Sequence, residues 1–462
     1  MAPSRSSTNG GQSWRSSTIF ICMTVGLAAF TDMFLYGLIV PVLPFMLKDR
    51  INLPDDQVQG ATSVLLAIFA AASLLASPLA GVLSDKVFSS RQIPFLLGLI
   101  FLLLSTILLA SANSVLMLVF ARALQGAAGG TVWTIGLTIL VEVVGHENIG
   151  KTVGTIFGIC SVATLFSPLV GGITYAKSGV MGVFGLGVSV ITLDLIMRLL
   201  MVEKKDTAAS ADPESSGPNE TTSLLSRTDT FSSDPKYLLP DPQHPLTKTF
   251  PILLLFQDRG LLTAFLMGFI QATLLGAFDA TIPVVASLRY KFDSFKAGLL
   301  FFPLGASQFI FAPIFGWCTD RWGAKPLSIF GFAFLVPVLA LLRLPGDLSS
   351  QIPVDSQVAL YASLLALNGV GLAGISSANI VECGTVLEKY WKANERLFKG
   401  RAPYAELYGI NNVVFSAGLM VGPMLSGVLT ELVGYGNMNA VLAGICGIMA
   451  VLIVLFVDAR TT

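Results

Sequence analysis

Apolar residues in this chain come in runs of about twenty or more between short charged breaks, the pattern of helices long enough to cross a bilayer. Six runs fall near 18–47, 59–83, 94–111, 115–141, 152–174 and 180–200, and six more near 260–286, 297–318, 326–343, 357–384, 404–432 and 438–457. Between the two sets lies a stretch rich in Ser, Thr, Pro and Asp, with the low hydrophobicity of a disordered linker. The pattern predicts an all-α membrane protein of twelve transmembrane helices in two six-helix halves. Its parts are an N-terminal tail over 1–17, a first half over 18–202, a linker over 203–255, a second half over 256–457 and a C-terminal tail over 458–462. The first run is too long for the core of a cleaved signal peptide, so the first helix is expected to stay in the mature protein.

Charge in the loops sets the orientation. Lys and Arg concentrate in the loops on the side of the amino terminus, which puts both tails and the linker in the cytoplasm. Asn219-Glu220-Thr221 fits the glycosylation sequon, but a cytoplasmic linker never meets the glycosylation machinery, and no glycan is expected there.

Composition narrows the class further. Of 462 residues, 53% are hydrophobic and 12% charged, whereas soluble domains carry charge on roughly a quarter of their residues. Lys plus Arg and Asp plus Glu are both 28, so no net charge points to nucleic acid. Cys22, Cys160, Cys318, Cys383 and Cys446 are odd in number, widely spaced and set in or beside apolar runs, which fits neither a disulfide framework nor a metal site. The histidines, His146 and His244, both fall in expected cytoplasmic segments, and no Gly-x-x-x-x-Gly-Lys nucleotide loop is present. Nothing in these residues argues for an enzyme, a cofactor or a metal.

An internal repeat supports the two-half plan. After the second span the chain reads Gly81-Val-Leu-Ser-Asp85-Lys86 with Arg91 close behind, and after the eighth it reads Gly316-Trp-Cys-Thr-Asp320-Arg321-Trp-Gly323-Ala-Lys325. Pro168-Leu-Val-Gly171-Gly172 in the fifth span is answered by Gly422-Pro423-Met-Leu-Ser-Gly427 in the eleventh. Two halves in the same orientation follow.

The loop pattern Gly-x-x-x-Asp-Arg-x-Gly-x-Lys resembles the signature between the second and third helices of the major facilitator superfamily. The second copy matches it, and the first departs, with Lys86 for the usual Arg and no following Gly. Arg122-Ala-Leu-Gln125-Gly126 resembles the superfamily's fourth-helix motif. The segment Gly158 to Gly172 is similar to the motif of its proton-coupled drug antiporters, with Ser167 where Gly usually precedes the Pro. Asp32 followed by Pro41, and Asp279 followed by Pro283, are similar to the first and seventh helices of vesicular amine transporters and their fungal relatives. Where that family has further acids in helices 10 and 11, this chain offers Ser377 and Asn412. The resemblance implies the major facilitator fold and a twelve-span, proton-coupled drug or multidrug antiporter.

Each motif has a physical reading. A glycine lets two helices approach, and a carboxylate beside basic residues can latch the cytoplasmic seam, a gating role for Gly81, Asp85, Lys86, Arg91, Gly316, Asp320, Arg321 and Lys325; a plain turn carrying positive-inside charge is the alternative. Pro168, Gly171, Gly172, Gly422 and Pro423 permit close packing and a bend. An ionisable group within a span faces a cavity or a partner, because charge in low dielectric is costly. Asp32, midway along the first span, is the candidate for proton coupling. Asp279, Arg122, Tyr36, Gln125 and Asn412 are candidates for binding substrate or proton, with structural pairing between neighbouring helices as the alternative for each. Trp133, Phe415, Gln271, Gln308, Asn368, Asn379 and Asn411 are further candidates for the cavity wall, with helix-to-helix hydrogen bonding as the alternative for the polar ones. Glu382 and the pair Asp194 with Arg198 fall near cytoplasmic ends and are expected to be solvated or salt-bridged.

The leading reading is a proton-driven antiporter that exports or sequesters a small amphipathic organic molecule. Its alternatives are proton symport of a nutrient or organic acid, and a receptor that binds without translocating. The expected partners are a small-molecule substrate, protons and the lipid bilayer, with no nucleic acid and a monomeric state. Glu220-Thr-Thr-Ser-Leu224-Leu225 fits an acidic dileucine signal read by a sorting adaptor, which places a vacuolar or endosomal membrane ahead of the plasma membrane.

Overall fold

The computed structural model describes residues 15, 17–86, 91–144, 149–201, 237–240, 251–347, 353–394, 397–398 and 403–458. The first apolar run is not one rod. Pro41 and Pro44 lack the backbone N–H that a continuous helix needs, and α1 (Thr18–Ile39) stops short of them, turns through residues 40–42 and restarts as the short α2 (Leu43–Asp49). The chain then crosses back and forth as α3 (Asp55–Lys86), α4 (Gln92–Ser111) and α5 (Val115–Val144).

The longest helix of the first half, α6 (Ile149–Leu200), has 52 residues, and that of the second, α13 (Tyr404–Phe456), has 53. At 1.5 Å per residue each would be about 80 Å long, more than twice a hydrocarbon core of ~30 Å. Both turn back on themselves at a glycine in the left-handed region, Gly179 at φ 61° and Gly434 at φ 82°. Each therefore supplies two spans, a first arm before the glycine and a second arm after it. Ten helices among the described residues are long and apolar enough to cross a membrane, and these two folded rods bring them to the twelve spans expected.

The second half repeats the first. A 3-10 turn (Pro251–Gln257) leads into α7 (Arg259–Val284), followed by the short α8 (Ser294–Leu299), α9 (Phe301–Trp322), α10 (Ala324–Leu341), the one-turn α11 (Leu344–Asp347) and α12 (Val354–Ala393). α1 packs along α6 as α7 packs along α13. The linker expected over 203–255 ends earlier than its composition implies: Ile252, Leu254 and Leu255 are buried in the 3-10 turn, and Tyr237 and Leu239 pack on the same apolar core. Glu220, Leu224 and Leu225 lie outside the described residues.

We call the end that carries residues 40–54 the outer end, following the charge asymmetry of the loops. There the halves touch backbone to backbone. Ser294 Oγ donates to Gly172 O at 3.1 Å, and Gln59 Nε2 donates to Ala280 O at 3.2 Å. A side-chain carbon on Gly172 would collide with the Ser294 carbonyl, one on Gly298 with the Pro168 carbonyl, and one on Gly427 with Ser63. Gly172 and Gly427 each stand four positions after the proline of their motif, Pro168 and Pro423. The repeated motif thus supplies one cross-half contact from each side, and the molecule is shut at its outer end.

Candidate functional site

In α5, the Arg122-to-Gly130 segment uses its small residues to admit neighbours. A carbon added to Gly126 would run into the Phe69 backbone of α3, and one added to Gly130 would meet Ser73. One added to Gly129 would lie 2.5 Å from Asp32 Oδ1 and 3.0 Å from its Cγ. Gly129 therefore leaves the room that the Asp32 carboxylate fills. Trp133, one turn further along α5, donates from its indole Nε1 to Asp32 Oδ2 at 3.0 Å. Asp32 is 2% exposed, and its Oδ1 finds no hydrogen-bond partner among the described residues. Val25, Ala29, Gly136, Leu140 and Ile156 leave a crevice of about 10 Å³ against Trp133, room for one water at most.

Arg122 is completely enclosed, at 0% exposure. Its Nη1 donates to Gln125 Oε1 at 2.7 Å and its Nε to Leu65 O at 3.3 Å, while Nη2 has no partner among the described residues. The guanidinium lies 4.6 Å from the Phe69 ring centroid and 5.5 Å from that of Tyr36, within the range of cation–π attraction. Tyr36 and Phe69 are themselves 5.0 Å apart. The Tyr36 hydroxyl reaches across the seam and donates to Asp279 Oδ2 at 2.8 Å. Asp32, Tyr36, Arg122, Gln125 and Asp279 thus gather around the middle of the molecule, and Asn412, half-buried on the first arm of α13, shares none of these contacts.

Phe69 and the Leu65 carbonyl complete the arginine's surroundings, and neither stands out in the sequence. A phenylalanine and a leucine inside an apolar run carry no mark that separates a guanidinium platform from ordinary packing. The fifth- and eleventh-span glycines lie against neighbouring backbone. Gly171 lies on the Leu38 carbonyl of α1, Gly422 on the Thr273 carbonyl of α7, and Ser167, in place of the usual Gly, meets Gly37.

Two expectations are corrected. Asp194, Arg198 and Glu382, expected to be solvated or salt-bridged, are 0%, 3% and 6% exposed, which excludes solvation and leaves the electrostatic pairing of Asp194 with Arg198. The second arm of α6 presses Arg198 onto the Phe95 ring of α4, 4.5 Å from its centroid, with Nη1 3.1 Å from Met201 Sδ. α12 runs on to Ala393 rather than ending near 384, so Glu382 sits inside a helix instead of at its end.

The side chains of Asp85, Lys86 and Asp320 lie outside the described residues. Gly81 touches Thr134, Arg91 donates to Ser84 Oγ at 2.9 Å, Arg321 lies over the Trp317 ring, and Lys325 donates to Val454 O at 3.0 Å, closing the end of α13. Gly316 is in open space, and Gly323 makes the turn into α10 at φ 86°.

Comparison with known proteins agrees with this architecture. The Major Facilitator Superfamily matches residues 25–387. The MFS-type transporter ppzB of Metarhizium rileyi is 36% identical, covering 97% of this chain and 97% of its own. The tetracycline resistance protein, class B, of Escherichia coli is 27% identical over 73% of this chain and 82% of its own, and the vesicular acetylcholine transporter of Drosophila melanogaster 22% over 92% and 69%. Among solved structures, the nucleoside transporter NupG superposes with a TM-score of 0.59 at 12% identity, covering 94% of this chain and 98% of NupG. A repeated six-span half, a seam closed by glycines and ionisable groups set in the apolar interior are the parts of a carrier, not of an enzyme: the chain belongs to the Major Facilitator Superfamily and is a multi-pass membrane transporter.

Proposed function

We propose that the protein is a proton-driven antiporter that exports or sequesters a small amphipathic organic molecule. The observation that carries this reading is the setting of Asp32, an enclosed carboxylate held by the Trp133 indole, with Arg122 engaged by Gln125 and Leu65. Charge in low dielectric is costly and a protonated carboxyl much less so, so loading and unloading a proton there biases one conformation over another. Asp279 differs. It is half-buried at the seam and bonded to Tyr36 of the other half, which suits a group that meets substrate and senses closure. The aromatic surroundings that Tyr36 and Phe69 give the interior fit an amphipathic rather than a fully polar molecule. Export of drugs or amines is in keeping with the tetracycline resistance and vesicular acetylcholine relatives. The dileucine pattern ending at Leu224 and Leu225 favours a vacuolar or endosomal membrane, and changing both to Ala moves the protein outward on this reading.

The direction of the gradient tests the proposal. Purified protein in liposomes is given a panel of amphipathic dyes and amines. An antiporter concentrates its substrate when the lumen is acidic, a symporter when the medium is acidic, and a receptor under neither condition. Asp279→Asn is expected to weaken substrate binding while leaving the direction of coupling intact.

A further inference from the structure

At the inner end of the second half, one asparagine side chain holds a piece of the linker by its backbone. Asn394, which follows the last residue of α12, accepts the Leu239 N–H at its Oδ1, 2.9 Å away, and donates from Nδ2 to Tyr237 O at 2.8 Å. An amide that pairs with the carbonyl of one residue and the N–H two residues later grips the backbone whatever its side chains. Those side chains then add to the hold. Tyr237 stands edge-on to Tyr390 with ring centroids 5.3 Å apart, lies under Lys389 Nζ at 5.6 Å, and donates its hydroxyl to Asp458 Oδ2 at 3.1 Å. Leu239 packs inward on the core, while Leu238 and Pro240 are exposed.

The residues that receive this segment also tie three helix ends to one another. Tyr390, on α12, donates to Asp258 Oδ2 at 2.9 Å, and Asp258 Oδ1 accepts from Leu261 N at 2.8 Å, capping α7. Lys389 lies 3.9 Å from Asp458, just past the end of α13. Segment 237–240 is thus bonded to Asn394 at the end of α12 and to Asp458 just past α13, and through Tyr390 it leans on the cap of α7.

We propose that this inner face is a peptide-docking site whose occupant is the chain's own segment Tyr237–Pro240, and that docking clamps the inner ends of α7, α12 and α13 into one block. Alternating access moves each half largely as a rigid body, so a half whose inner end has come loose turns over more slowly. The clamp is independent of which substrate is carried and of which group carries the proton.

Hydrogen exchange on the full-length chain in lipid nanodiscs, without substrate, tests the clamp. The Leu239 amide is expected to exchange slowly in the wild type and at least about tenfold faster in Asn394→Ala, since that variant removes the acceptor. Tyr237→Phe, which loses only the bond to Asp458, is expected to loosen it partly. In a chain carrying Tyr237→Ala and Leu239→Ala, which alters only the linker, residues 389–394 should lose protection, and a synthetic peptide of linker residues 235–242 should restore it. A Leu239 amide that exchanges in the wild type as fast as free chain overturns the proposal. So does protection at 389–394 that is unchanged when the segment's two anchors are removed.

Discussion

α1 and α7 hold matching places in the two halves and pack in the same manner, yet they carry different chemistry. Gly37 of α1 meets Ser167 and Pro168 of α6, and Gly276 of α7 meets Leu419 and Pro423 of α13. Five positions before each glycine stands a buried polar residue, Asp32 in α1 and Gln271 in α7, at 2% and 5% exposure. The two side chains are both small, planar and hydrogen-bonding, but the acid can exchange a proton and the amide cannot. Asp279, the acid that α7 does carry, stands three positions after Gly276, where α1 has Val40. The acids of the two helices are therefore not counterparts. Asp32 is turned into its own half against Trp133 and Gly129, and Asp279 into the seam against Tyr36. Packing is duplicated, and the fully buried acid belongs to one half.

The largest effect expected from this asymmetry is at Gly129. An Ala there places a carbon where the Asp32 carboxylate lies, and displacing a reacting group by about 1 Å can cost about a hundredfold in rate. Gly129→Ala should lower gradient-driven uptake to that degree in a protein that still elutes as a single folded species; normal uptake would mean that the carboxylate's position is unimportant. Next is the seam. Tyr36→Phe removes a hydrogen bond to a carboxylate, worth about 1.5–3 kcal/mol, and should shift the balance away from outer closure by about tenfold or more. A Ser63→Cys probe in a cysteine-free background, labelled from the outside by an impermeant thiol reagent, reads that shift. Labelling at the same rate with and without the Tyr36→Phe change would deny the bond a gating role.

Gln271→Ala removes a polar side chain that cannot titrate and is expected to bring at most a fewfold loss of apparent affinity, with the response to pH retained. If the pH response disappears instead, the two helices share the proton task and the asymmetry fails. The smallest effect is at the helix ends. Lys325 closes the last turn of α13 by bonding Val454 O, and in the first half Gln92 serves the corresponding end of α6 by bonding Met201 O at 3.0 Å. A charge at a helix C-terminus contributes about 0.3–1 kcal/mol at an exposed site, so Lys325→Met should lower the melting temperature by only about 1–3 °C. Gln92→Ala should do less, because it loses no charge.

The spans were legible in the sequence because apolar runs of bilayer length have few other uses, and because Gly179 and Gly434 fall at the breaks between runs. The interruption of the first run was legible only in principle: Pro41 and Pro44 were on view, but a proline near a helix end can also be tolerated as a kink. Asp32, Arg122 and Asp279 stood out as ionisable residues in apolar surroundings. Their partners did not, because Phe69 is one of 31 phenylalanines and the Leu65 contact is through a carbonyl that every residue has. The burial of Asp194 and Arg198 was missed because depth along a span says nothing about which face a helix presents. The docked segment at Tyr237 was missed because four residues are too few to alter the average composition of a polar linker.

The account rests most heavily on Asp32 as the residue that carries the coupling proton. Its most direct test is the Asp32→Asn variant in liposomes with an acidic lumen, since Asn keeps the size and hydrogen bonding of the side chain but cannot titrate. The prediction is that this variant no longer concentrates substrate above the level of the medium, while it still exchanges preloaded substrate down its gradient. If Asp32→Asn accumulates substrate in response to the pH gradient as the wild type does, the proton is carried elsewhere, and the claim that coupling resides in the first half is wrong.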